Sequence, residues 1–125
     1  MDYSDVEEFK YIYLEDSFLL GMKEDSNCIS FLVEAVLLKG HKLYHEPLKG
    51  EAHCYKKCEI KFQEIKSVNW VRKSFDPIQG CDEENDYGNI DNFTFSDSEY
   101  HVSGEWGDVF IKSDRPVLIW MEHHF

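Results

Sequence analysis

From residue 74 to residue 111 the chain has no Lys and no Arg. Over the whole 125 residues such bases number 13, against 25 acids. Phosphate backbones and anionic bilayers are gripped by clustered Lys and Arg, so the expectation is no nucleic acid and no membrane among the partners. Long apolar runs are also missing, and none approaches the roughly 18 residues needed to cross a bilayer. Met1 to Glu8 is acidic and lacks the apolar stretch of a secretory signal, which makes a cytoplasmic location the expectation. Cysteine is sparse (Cys28, Cys54, Cys58 and Cys81) and reads as reduced thiol, not as a disulfide framework. No Gly-x-Ser-x-Gly and no Gly-rich phosphate loop occurs.

What is present is acid in quantity. Residues 74–111 hold ten acids: Asp76, Asp82, Glu83, Glu84, Asp86, Asp91, Asp97, Glu99, Glu105 and Asp108. Residues 49–73 hold seven bases against three acids. Charge sorted in this way sets the long-range field that attracts one class of partner and rejects another. The hydrophobic share of 42% and the aromatic share of 15% point to a packed core despite a net charge of −12. One domain over 1–125 is the simplest organisation for this length.

Short extended segments separated by turn residues dominate the pattern. Lys10 to Leu14 and Ser17 to Lys23 are two candidate strands with Glu15-Asp16 as a turn between them. Cys28 to Leu38 is apolar on both faces, as a central strand or a buried helix would be; its β-branched residues and flanking turn residues favour the strand. Glu51 to Ile65 alternates, with Cys54, Cys58, Ile60 and Phe62 on one side; Lys56 breaks the pattern and suggests a bulge or an edge. Val68 to Arg72, Asn92 to Phe95, Tyr100 to Ser103, Val109 to Lys112 and Pro116 to Met121 complete the set, and a long acidic loop occupies roughly 75–91. The fold class is all-β, or β-rich α+β if Asp5 to Glu8 opens a helix: an antiparallel barrel or sandwich of about eight short strands.

Chemistry-bearing clusters each have a plainer reading. The run from Cys81 to Asp91 offers carboxylates to a hard cation, but Tyr87 takes a ligand place and Thr94 stands where a bidentate Glu is required; a solvated loop is preferred, with no metal. His41 and His45 have His-x-x-x-His spacing, but Gly40 and Pro47 bracket them, so they read as solvent-facing loop histidines. Cys54 and Cys58 lie along one strand, where they suit a core better than zinc. Trp106, between Glu105 and Asp108, is either an exposed interface anchor or a turn indole folded over the core.

Glu15-Asp16-Ser17 with Leu20-Gly21, His53-Cys54-Tyr55, Tyr87-Gly88-Asn89-Ile90-Asp91 and Trp106-Gly107 together resemble a family of small bacterial proteins without an assigned activity. The resemblance implies a stand-alone cytoplasmic domain and transfers no active site. From its sorted charge and its size the chain is expected to be a non-enzymatic binding protein, of immunity type, presenting a negative surface to a basic protein partner through Asp82, Glu83, Glu84, Asp86, Asp91, Glu105, Trp106 and Asp108. No cofactor is expected. Two alternatives stand beside it: a β-barrel with a ligand in an aromatic-lined interior near His53 or His101, and an enzyme using converging carboxylates or a metal.

Overall fold

The computed structural model describes residues 9–47, 49–50, 53–74, 87–97 and 99–121, with Asp16 described by its backbone alone. The strands are β1 (Ile12–Glu24), β2 (Cys28–Leu37), β3 (Cys54–Gln63), β4 (Ser67–Lys73), β5 (Ile90–Ser96), β6 (Glu99–Gly104), β7 (Gly107–Lys112) and β8 (Val117–Trp120). They form two antiparallel sheets, in the orders β1-β2-β3-β8 and β4-β7-β6-β5, so the fold is an all-β sandwich. Among the described residues no helix is long and apolar enough to cross a membrane.

Side-chain alternation explains the layering. From β2, Ile29, Phe31, Val33, Ala35 and Leu37 point inward, each opposite an inward residue of β3 except Ala35, which faces Lys56. β3 keeps an unbroken register there, so Lys56 marks no bulge; it lies past the last β8 residue paired with β3 among the described residues. The other sheet contributes Ile90, Phe93, Tyr100, Val102, Val109 and Ile111 to the same hydrophobic cluster. Rings fill the space between the sheets. Phe31 meets Phe62 at 6.0 Å and Trp106 at 5.4 Å, and Phe62 meets Tyr100 at 5.3 Å. Burying each such ring contributes about 1.5–3 kcal/mol.

The two expected N-terminal strands are one. Glu15-Asp16 is not a turn but part of a bulge, in which Leu14, Glu15, Asp16 and Ser17 stand opposite Ala35 alone. Ser17, fully buried, repairs the ladder: its hydroxyl accepts from Val36 N–H at 3.0 Å and donates to the Tyr13 carbonyl at 2.8 Å. A second bulge follows at Leu20.

β1 then runs across one end of the second sheet. Leu19 exchanges backbone hydrogen bonds with Gly88 and Tyr87, and Glu24 reaches Trp70 and Lys73 of β4. That end is made of the start of β5, the β6–β7 hairpin and the end of β4, because Gly104 pairs with Ile90 and Gly107 with Lys73. Ile90 and Asp91 therefore belong to a strand, although the sequence pattern puts them in the long loop. Residues 75–86, and the possible helix at Asp5 to Glu8, lie outside the described residues.

Candidate functional site

Of the five described acids of residues 74–111, this end of the second sheet holds Asp91, Glu105 and Asp108, while Asp97 and Glu99 lie at the opposite end. Asp91 is exposed in a bulge of β5, between Ile90 and Asn92. Glu105 is exposed in the two-residue turn of the β6–β7 hairpin, against Gly88. Asp108 is half-buried one residue into β7. Asp82, Glu83, Glu84 and Asp86 lie outside the described residues. The chain leaves this end at Ser74, whose N–H donates to the Trp106 carbonyl at 2.8 Å, and returns at Tyr87, whose N–H donates to the Leu19 carbonyl at 2.9 Å.

Two bases share this end, and both are engaged within the fold. The Arg72 guanidinium donates to the carbonyls of Glu105 at 2.8 Å and Gly104 at 2.6 Å, with a longer contact to Gly107 at 3.5 Å. A planar five-donor fork suits such a cluster of carbonyls. The Lys73 ammonium donates to Glu24 at 2.9 Å and lies over the Trp70 ring. That hydrogen bond, helped by Trp70 and the Lys73 charge and opposed by burial, holds the Glu24 carboxyl below its usual range. Asp91 and Glu105 have no ion pair among the described residues.

Trp106 is the correction at this site. It is 1% exposed and packs on Phe31 and Trp70, so it cannot be a surface anchor in this fold. The hairpin admits it because Gly104 has no side chain: a Cβ there would collide with the Asn89 carbonyl and the indole Nε1.

Pairing of β5, β6 and β7 builds a second cluster on the outer face. The His101 ring stacks on Phe110, with centroids 4.2 Å apart and planes within 2°. Its Nε2 lies 2.6 Å from Asp108 Oδ1 and its Nδ1 lies 3.0 Å from Asn92 Nδ2. With the Asn92 amide donating, Nδ1 accepts and the Nε2 proton goes to Asp108. A general base needs a nitrogen facing its substrate, and both nitrogens face neighbours. The arrangement fixes the imidazole instead of poising it. Beside it lies a shallow depression of about 220 Å³ bounded by Thr94, Ser96, Glu99, His101 and the rings of Phe95 and Phe110.

A larger depression, of about 400 Å³, opens on the outer face of the first sheet. Gly21 and Ser30 leave space beside Leu32, and Ile119 and Met121 wall it with Lys23 and Glu59 at the rim. Nothing stands within 4 Å of where a Gly21 side chain would begin.

The remaining candidates fall elsewhere. Cys54 and Cys58 both point into the core, and burial pushes the Cys58 thiol up to about 12. His53 packs on Tyr55. His41 is half-buried against Trp120, contrary to its reading as a solvent-facing histidine, and accepts from Leu43 N–H at 3.1 Å; burial and Lys42 lower its pKa. His45 is exposed. No three His, Cys, Asp or Glu side chains converge as metal ligands among the described residues.

No protein-family model matches the chain, and comparison with curated proteins and with solved structures gives no match either.

Proposed function

We propose that this chain is a binding protein that meets a basic protein partner at the acidic end of the second sheet. The observation carrying this reading is the fate of the two local bases. Arg72 is turned onto hairpin carbonyls and Lys73 onto Glu24, which leaves the exposed carboxylates of Asp91 and Glu105 without an ion pair among the described residues. A net charge of −12 adds a long-range field that speeds encounter with a cationic surface. A role of immunity type, neutralising a basic toxin in a bacterial cytoplasm, suits the charge and size. The free thiols of Cys28, Cys54 and Cys58 agree with a reducing compartment.

The test compares two charge-matched double variants for binding to a lysine-rich polypeptide at low salt. Asp91→Asn with Glu105→Gln is expected to weaken binding by about 1 kcal/mol, roughly fivefold. Asp97→Asn with Asp114→Asn removes equal charge at the opposite end and is expected to cost less than about twofold. Asn suits the left-handed φ of 52° at Asp97, so the control keeps its turn. Equal losses in both variants would reduce the contact to bulk charge and remove the site.

A second reading is favoured by one observation, the open depression beside Gly21. It places a small apolar ligand on an outer face rather than in a barrel interior, since the core space is filled by rings. Gly21→Val puts a branched side chain into it, and the Cβ meets nothing within 4 Å. Saturable binding of anilinonaphthalene sulfonate that disappears in this variant would support the reading, and no binding to the wild type would end it.

A further inference from the structure

Among the described residues four strands form the sheet edges: β1 and β8 in one sheet, β4 and β5 in the other. An edge exposes a row of N–H and C=O groups that invites pairing, and proteins blunt it with bulges, charges or cover. Three of these edges are blunted. β1 is bulged twice and partly covered by Tyr87 to Asn89. β4 is bulged between Trp70 and Arg72 and carries Arg72 and Lys73. β5 is bulged at the exposed Asp91.

β8, four residues long, has no bulge, charge or cover among the described residues. Its register against β3 is unbroken, and Val117, Leu118, Ile119, Trp120 and the following Met121 include no charge, Gly or Pro. Val117, Ile119 and Met121 are 42%, 44% and 45% exposed. The hydrogen-bond phase is also set. Met121 N–H donates to the Lys57 carbonyl at 3.1 Å. In an antiparallel ladder, residues two apart then share that direction, so Ile119 and Val117 bond to β3. The backbone groups of Leu118 and Trp120 point away from it and meet no partner among the described residues.

Charge favours a second copy at this edge. The neighbouring strand carries Lys56, Lys57 and Lys61 against Glu59, so two molecules of net charge −12 meet less local negative charge here than at the acidic end of the second sheet. The strand is also self-complementary about Ile119. An antiparallel copy sets Leu118 against the second copy's Trp120 and Val117 against the second copy's Met121, burying no charge. We infer that β8 pairs with β8 of a second copy about a two-fold axis through Ile119. The pairing joins the β1-β2-β3-β8 sheets of the two copies into one through about four hydrogen bonds from Leu118 and Trp120.

Sedimentation equilibrium from about 5 µM to about 500 µM reads the outcome. The mass is expected to climb from 14.8 kDa toward twice that value, and to climb further in about 0.5 M salt as like charges are screened. Ile119→Lys places a charge on the axis and is expected to hold the mass at 14.8 kDa. Val71→Lys alters a 62% exposed residue on the β4 edge and is expected to dimerise like the wild type. Amide exchange of the wild type gives a reading free of variants: Leu118 and Trp120 should exchange roughly tenfold more slowly at the highest concentration. A wild type that stays monomeric, an Ile119→Lys protein that dimerises normally, or concentration-independent exchange at Leu118 and Trp120 would each overturn the pairing. A basic-partner contact weakens with salt, the opposite sign, so the two associations stand or fall separately.

Discussion

Removing one hydroxyl, in Ser17→Ala, tests how β1 survives its own bulge. The Ser17 side chain is fully buried and makes two hydrogen bonds, accepting from Val36 N–H at 3.0 Å and donating to the Tyr13 carbonyl at 2.8 Å. Alanine removes both and offers the buried N–H no substitute. A buried donor left without a partner costs about 1–3 kcal/mol, and the lost neutral bond to Tyr13 adds about 1 kcal/mol where water does not replace it. We take about 2 kcal/mol as the working figure. Unfolding entropy of roughly 2.1 cal/mol/K per residue gives about 260 cal/mol/K for 125 residues, so Tm should fall by about 8 °C. Urea unfolding followed by circular dichroism measures the loss. Ser26→Ala, in the exposed β1–β2 turn, serves as control and should stay within about 0.5 kcal/mol. A loss below about 0.5 kcal/mol in Ser17→Ala, with an unchanged urea slope, would refute the idea that this hydroxyl closes the ladder.

Three further outcomes follow from named contacts. Trp106→Ala should cost about 3–5 kcal/mol in urea unfolding, because the indole fills the space between Phe31 and Trp70; a near-neutral result would mean that the ring is not in the core. Glu24 has a depressed pKa, so the stability from its contact with Lys73 is present above the ordinary carboxylate range and lost as pH falls through the depressed value. Glu24→Gln should therefore lower stability by up to about 1 kcal/mol at neutral pH and match the wild type in strong acid, since the pair is partly exposed and screened. With its thiol raised to about 12, Cys58 should resist iodoacetamide at pH 8 in the folded protein and react once urea is added; mass mapping that finds early Cys58 adducts would contradict its burial.

Period-two alternation made much of the fold legible. Cys54, Cys58, Ile60 and Phe62 point inward as their spacing indicates, and the two-sided apolar character of Cys28 to Leu38 matches a strand flanked by β1 and β3. Alternation carries no information on partners far apart in sequence, so neither the return of β8 to β3 nor the pairing of β4 with β7 was readable. The polar pair Glu15-Asp16 looks like a turn because the hydroxyl that bridges the bulge acts on Val36, across the sheet. Trp106 between two acids looks exposed because composition cannot convey the room that Gly104 leaves for an indole. Asn92, His101 and Asp108 meet only through strand register. A two-residue turn at Glu105-Trp106 sets His101 opposite Phe110 and diagonal to Asp108, and recognising that turn length is the signal that would have found them.

The proposed contact makes one demand that single-residue resolution can meet. In a titration of the labelled protein with a lysine-rich polypeptide, amide resonances of Asp91, Glu105, Gly107 and Asp108 should shift together and recover when salt is added. Those of Asp97, Glu99 and Asp114, at the far end of the same sheet, should stay in place. Shifts spread evenly over both ends, or confined to the far one, would contradict a basic-partner site at the β6–β7 hairpin.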